Sequence, residues 1–354
     1  MTRRDALLFS LTACARSAVS AVPEQRHFPS MQALPVPYDQ VSFQLAEHEI
    51  GRYHFGPELN RPFVYPVIGP LGRTLTRMGH PGDPYTHSHH NSVWISYTKV
   101  NGINFWEDHA PNRGRIVQQQ IVELIDADER AGILAKGAWL SSTGQPIVQE
   151  AREIWAYPLE AGEWMLVIDL LLRPDSSEVT FDRAGFGPIG VRVAKSVSVY
   201  FGGGVIRNSE RAEGEKVIFH KPARWVDYSG YIAPGVIEGL TLFDHPLNPY
   251  HPSPFHVRED GWMGAMLSTE QATTISPGKS LHLRYGVYVH TGVPELAQLD
   301  SRWNYFAKLN LHPPYGPPKS ARDCLNGNHR LFNVPHPFRN LKECQEAVPQ
   351  AKEQ

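Results

Sequence analysis

From residue 40 to 290 the chain is a succession of short apolar runs, each closed by Gly, Pro, Asn or Asp. VSFQLAEH, RPFVYPVI, SVWISYT, GRIVQQQIVEL, GILAKGAWL, IVQEAREIWAYP, EWMLVIDLLLR, IGVRVAKSVSVYF, KVIFH, GLTLFDH, GWMGAML and LHLRYGVYVHTG each predict a strand. Several alternate polar and apolar residues with period two, and most carry Val, Ile, Tyr, Phe or Trp, which suit a pleated, half-buried surface. Turn formers in PLGR, STGQ, LEAGE, GGG and SPGK separate the runs. No long helical stretches alternate with the strands, which argues against a parallel doubly wound sheet. The pattern predicts an all-β fold, a large antiparallel β-sandwich with one sheet face open to a ligand. One helix is expected in PELAQLDSRWNYFAKL, with Pro294 at a first-turn position. The expected division is a leader over 1–21, a linker over 22–40, the sandwich over 41–292, and a helix with a Pro-rich wrapping tail over 293–354.

Composition narrows the function classes. The 354 residues are 41% hydrophobic and 20% charged, enough for a real core. A net charge of −2 and the lack of a basic run give no support to a nucleic-acid surface. No apolar stretch approaches the ~20 residues of a spanning helix. The start, MTRRDALLFSLTACARSAVSAVPEQ, has two early arginines and a short apolar run, and Leu11-Thr12-Ala13-Cys14 looks like a lipobox. The expectation is an extracytoplasmic protein, in the periplasm or on the outer surface, with Cys14 as a possible lipid anchor. Cys324 and Cys344 are either a disulfide pair or two free thiols, and three cysteines are too few for a thiolate zinc site or an iron–sulfur cluster.

The candidate chemistry lies in two histidine clusters. HPGDPYTHSHHNSVWISYTKVNGINFWEDH carries His80, His87, His89, His90 and His109, and FDHPLNPYHPSPFHV carries His245, His251 and His256. Imidazole moves protons near neutral pH and is the commonest metal ligand. Strand alternation through 86–90 would put His87 and His89 on one face and His90 on the other. His87 and His89 are therefore the candidate ligands of a divalent metal. Four prolines brace the second cluster, a rigid way to hold polar side chains against a ligand. The two segments are expected to form two walls of one polar pocket. His87, His89, His90, His251 and His256 are the candidate proton carriers, and Arg192, Tyr228, His245, Asp244 and Glu153 the candidate substrate contacts. Arg192 sits in an apolar run, where it must meet a carboxylate or a ligand, with Glu153 and Asp169 the internal alternatives. Asp227 and Asp244 can orient a histidine. Trp94, Trp106, Trp225 and Trp262 are expected in the core, unless one beside the histidines serves as a sugar platform.

RPFVYPVIGPLGRTLTR, THSHHNSVWISYTKVNGINFW, GPIGVRVA, KPARWVDYSG, FDHPLNPYHPSPFHVR and LRYGVYVHTG occur in an order that resembles a bacterial family labelled methane oxygenase PmoA-like. Thr86 stands where many members of that family carry an acid. Membrane methane oxygenase chemistry needs spanning helices, which this chain lacks. The resemblance implies instead a galactose mutarotase-like supersandwich. Expected from residues and resemblance together is a carbohydrate-active protein with a His-based acid/base site, mutarotase-like or glycoside-processing. The alternatives are a metal-dependent lyase or hydrolase on the same histidines, and a non-catalytic sugar-binding lipoprotein.

Overall fold

The computed structural model describes residues 27–80, 87–267 and 269–309. Two antiparallel sheets dominate it. The larger has nine strands, in the order Met31–Val36, Gln40–Leu45, His48–His54, Phe63–Val67, Val93–Ile95, Ile189–Arg192, Trp262–Ala265, Pro254–Arg258 and Lys221–Pro222. The other has eight, in the order Val205–Asn208, Trp225–Ala233, Val236–Asp244, Leu281–Thr291, Trp164–Pro174, Pro146–Pro158, Ala131–Leu140 and Arg115–Ile125. A two-stranded ribbon pairs Val179–Phe181 with Thr273–Ile275.

Alternation decides which side chains fill the sandwich. Val93, Ile95, Ile189, Val191, Met263, Phe255 and Val257 face inward from the nine-stranded sheet, meeting Ile154, Leu166, Ile168, Leu170, Leu283 and Val287 of the other. The intervening residues therefore face outward, and both outer faces are partly covered. On the eight-stranded sheet Trp155, Met165, Val167, Phe243 and Tyr288 pack against the helix Leu296–Lys308 through Leu299 and Phe306. On the nine-stranded sheet Phe63, Trp94, Trp106 and Trp262 form a separate aromatic cluster. The antiparallel sandwich and its C-terminal helix are as expected.

Two expectations are corrected. Residues 31–36, expected in the linker, form a strand of the nine-stranded sheet, paired from Met31–Leu45 to Val36–Gln40. KVIFH, whose apolar content predicted a strand, contributes instead to the one-turn helix Glu215–Ile218, which follows Gly214 at φ 84°. One turn is enough to bury the single side chain of Ile218. The leader, Cys14, Cys324, Cys344 and the tail beyond residue 309 lie outside the described residues. Among the described residues no helix is long and apolar enough to cross a membrane.

Candidate functional site

The outer face of the nine-stranded sheet carries a cross-strand row set by register. Phe63 pairs with Trp94, Trp94 with Gly190, and His256 with Gly264, while Arg192 pairs with Trp262 on the next row. Glycine at 190 is what lets the Trp94 indole lie flat on the sheet. A Cβ there would stand 2.5 Å from the ring. Trp106 contacts Trp94 and Trp262 at ring-centroid distances of 5.3 and 6.0 Å, and Phe186 closes the group against Trp106 and Trp262. The result is an aromatic floor.

The first histidine cluster sits on that floor. Residues 87–89 form a turn, with the His90 amide donating to the His87 carbonyl at 3.1 Å, and the strand begins only at Val93. The expected split of His90 from His87 and His89 is therefore corrected: a turn has no two faces. The three rings converge, with centroids 4.6, 4.9 and 5.7 Å apart. His80 packs on His87, and His90 packs on both Trp94 and Trp262. His256 reaches the same floor from its own strand, 4.0 Å from Trp262. Above them opens a cleft of about 620 Å³, lined by His87, His89, His90, Trp106, Asp108, Phe186 and Trp262, with Glu107 and His109 exposed at its rim.

Arg61 organises this wall. Its guanidinium is buried and donates to Asn91 Oδ1 at 2.7 Å, to the Trp106 carbonyl at 2.8 Å and to Asp108 Oδ1 at 2.7 Å. It thus ties the histidine turn to the 105–108 segment. Asp108 also accepts from Ser88 Oγ at 3.0 Å. Burial acts to raise the Asp108 pKa, but the Arg61 charge prevails and holds it below the usual carboxylate value.

Burial has the larger effect on the imidazoles. Loss of water, then the Arg61 charge, takes His89 down to about 4. Burial and the Arg192 charge push His90 well below its ordinary value. Burial takes His256 to about 4, against the raising effect of its hydrogen bond to Gly185. All three are neutral at pH 7, the form that accepts a proton or binds a metal. The Gly185 carbonyl accepts from His256 Nδ1 at 2.8 Å, which leaves Nε2 as an acceptor, buried and unpartnered. His90 Nδ1, Trp94 Nε1, Trp262 Nε1 and two Arg192 nitrogens are also buried without partners. Native proteins leave few such atoms, and a cluster of them marks a place where a ligand or water completes the bonding. Among the described residues no three His, Cys, Asp or Glu side chains converge to hold a metal ion.

The remaining predicted residues fall elsewhere. Asp244 is fully buried at the end of its strand and organises the following loop, accepting from His251 Nδ1 at 2.7 Å, Asn248 Nδ2 at 2.8 Å and the Ser253 amide at 2.9 Å. His251 stacks on Trp303 and His245 meets Phe306 edge-on, both on the helix Leu296–Lys308. Of the second cluster only His256 joins the first, so the two-wall arrangement is corrected. Tyr228 points into the core between the sheets and donates to the Arg258 carbonyl. Glu153 belongs to the eight-stranded sheet, accepts from Trp155 Nε1 at 2.9 Å and pairs across strands with Asp169. Arg192 meets neither Glu153 nor Asp169 but Asp260, at 2.7 Å. Asp227 does hold a histidine, His290 at 2.9 Å, in a fully buried pair. Arg61, Asp260 and Phe186 were missed because each reaches the site from a segment distant in the chain, and Asp108, inside the 80–109 stretch, because its role depends on Arg61. The small-large alternation of Trp262 and Gly264 in GWMGAM was the one signal available for the floor.

Among solved structures the chain is similar to a GalM/aldose epimerase homologue from C. elegans, with 5% identity, coverage of 75% of this chain and 100% of that one, and a TM-score of 0.33. It is also similar to a 4-alpha-glucanotransferase from Thermococcus litoralis, with 11% identity, coverage of 74% of this chain and 39% of that one, and a TM-score of 0.31. No curated protein matches it in sequence. The expected membership of a methane oxygenase-like family is corrected by the family comparison, which matches a different model over residues 40–304. That model is DUF6807, a family of unknown function, and the chain belongs to it.

Proposed function

We propose that this protein is a carbohydrate-active enzyme that binds a sugar ring against Trp106 and Trp262 in the cleft and moves a proton through uncharged imidazoles. The observation that carries the reading is the convergence of His87, His89, His90 and His256 on an aromatic floor beneath an open cleft. Sugar rings present C–H faces that pack on indoles, while their hydroxyls need donors and acceptors at the edge. A neutral imidazole has a lone pair free to take a proton, and Asp108 lies where its charge favours the imidazolium that forms. Arg61 is a positioning residue that fixes Asp108 and the histidine turn.

The test is incubation of the purified protein with a panel of neutral and acidic sugars in D2O, followed by NMR. The expected result is loss of a sugar C–H signal or a change of anomeric ratio, abolished in His89→Gln. Binding without any chemical change would make this a binding module and end the enzymatic reading. A stoichiometric metal found by elemental analysis would move the histidines from proton transfer to coordination. Export follows the same proposal, and mass spectrometry of the cell-associated protein checks it by the presence or loss of the leader.

A further inference from the structure

Beneath the histidine turn, positive charge is in excess among the described residues. Arg192 is fully buried on the outward face of its strand, beside Trp262 in register, and its charge acts on His90. One terminal nitrogen donates to Asp260 Oδ1 at 2.7 Å, and its Nε and other terminal nitrogen have no partner. His80 Nε2 takes the second Asp260 oxygen at 2.6 Å. Arg77 comes into the same field: it donates to the Gly79 carbonyl and, at 3.4 Å, to the Asp260 backbone carbonyl, and its buried Nε is unpartnered. Among the described residues, Asp260 is thus the single carboxylate facing two guanidiniums. The third, Arg61, is already matched by Asp108. Neutral His89 and His90 add no compensating charge, and the remaining acid at the cleft, Glu107, is exposed at the rim.

A guanidinium buried with unused N–H groups is costly unless an anion completes it. Resting on the carbohydrate reading of the cleft, we propose that the sugar taken here is an acid, such as a uronic or aldonic acid, with its carboxylate drawn to the part of the wall formed by His90 and Trp262, behind which Arg192 lies. Arginine matches a carboxylate in shape as well as charge, and the low dielectric of the wall strengthens the attraction. The neutral Trp106 and Trp262, which line the cleft, then hold the ring while the positive charge behind the wall fixes its orientation.

The test is calorimetric titration of the full chain with three sets of probes: sugar acids, their methyl esters, and the matching neutral sugars. Binding of an acid at least about tenfold tighter than its ester supports the proposal, since charge-assisted hydrogen bonds are worth that much or more. Arg77→Gln, at a half-buried position, should shrink the acid-to-ester ratio several-fold while leaving ester affinity in place. Arg192→Gln should abolish the ratio, with circular dichroism confirming that it folds. Equal affinity for acid, ester and neutral sugar overturns the anionic-substrate inference and leaves the carbohydrate reading intact. Equal affinity for a sugar acid and for acetate, with no binding of neutral sugars, upholds the anion site and overturns the carbohydrate reading. Failure of every probe to bind overturns both.

Discussion

Lowering the pH from 7 to 5 will weaken this fold through its buried histidines. His89, His245 and His256 are held near about 4 by burial, and His90 lower still, against an ordinary value of 6.5. A folded pKa below the unfolded one has no effect on stability above pH 6.5. Below it the unfolded chain takes up a proton that the fold refuses, and stability falls until the folded pKa is passed. At about 1.4 kcal/mol per pH unit, each histidine costs about 2 kcal/mol at pH 5, and the four together about 8 kcal/mol. Glu153 acts in the opposite sense. Burial first, then the neighbouring Asp169, raises its carboxyl from 4.5 to about 7. The unfolded chain gains by ionising that group at neutral pH, so acidification to pH 5 removes about 2–3 kcal/mol of destabilisation. The histidines prevail, with a net loss of about 5 kcal/mol, a large part of a typical folding free energy. Differential scanning calorimetry at pH 7, 6 and 5 should show Tm falling by roughly 10–20 °C overall. His89→Gln should flatten the slope by about two-fifths, since it removes about 2 of the net 5 kcal/mol. A Tm constant within a few degrees across this range would mean that these imidazoles are already protonated or hydrated, and the account of the cleft wall would be wrong.

Two substitutions probe the floor and the wall separately. Gly190→Ala places a methyl 2.5 Å from the Trp94 indole, and displacing that ring should cost about 1–3 kcal/mol in urea unfolding and shift the tryptophan emission. An unchanged unfolding midpoint and spectrum would show that the indole does not lie on the strand. Arg61→Met removes the donors to Asn91, Trp106 and Asp108 and leaves a half-buried carboxylate without its cation. The expected loss is about 3–5 kcal/mol, with the Asp108 pKa rising because the charge that depressed it is gone. A loss below 1 kcal/mol would remove Arg61 from its role as the tie between the two segments.

Much of this architecture was legible because period-two alternation reports directly on which side chains fill a sandwich. The run EWMLVIDLLLR, apolar on both sides, belongs to a strand covered on both faces, by the core and by the terminal helix. The first histidine cluster was legible for a simpler reason: its members are close in sequence and a turn brings them together. The second misled because proximity in sequence does not report which way a loop folds. Asp244 draws His251, Asn248 and the Ser253 amide to itself, so a Pro-braced segment that looked like a ligand wall closes on its own carboxylate. Only His256, which follows the loop on an outward strand position, escapes that arrangement. Arg61 and Asp260 could not be found from pattern, since their partners lie 47 and 68 residues away, and the motif that Arg61 opens does not reveal that it is buried against Asp108. Arg192 was recognisable as a charge needing a partner, but not which partner.

The most direct measurement is a long-range proton–nitrogen NMR spectrum of the imidazole side chains, recorded as a sugar acid is titrated in. The account predicts that the signals of His87, His89, His90 and His256 shift together and saturate, with His89, His90 and His256 as neutral tautomers at pH 7, while those of His245, His251 and His290 stay in place. Shifts confined to His245 and His251, or no imidazole shift at saturating ligand, would contradict the placement of the site on the outer face of the nine-stranded sheet.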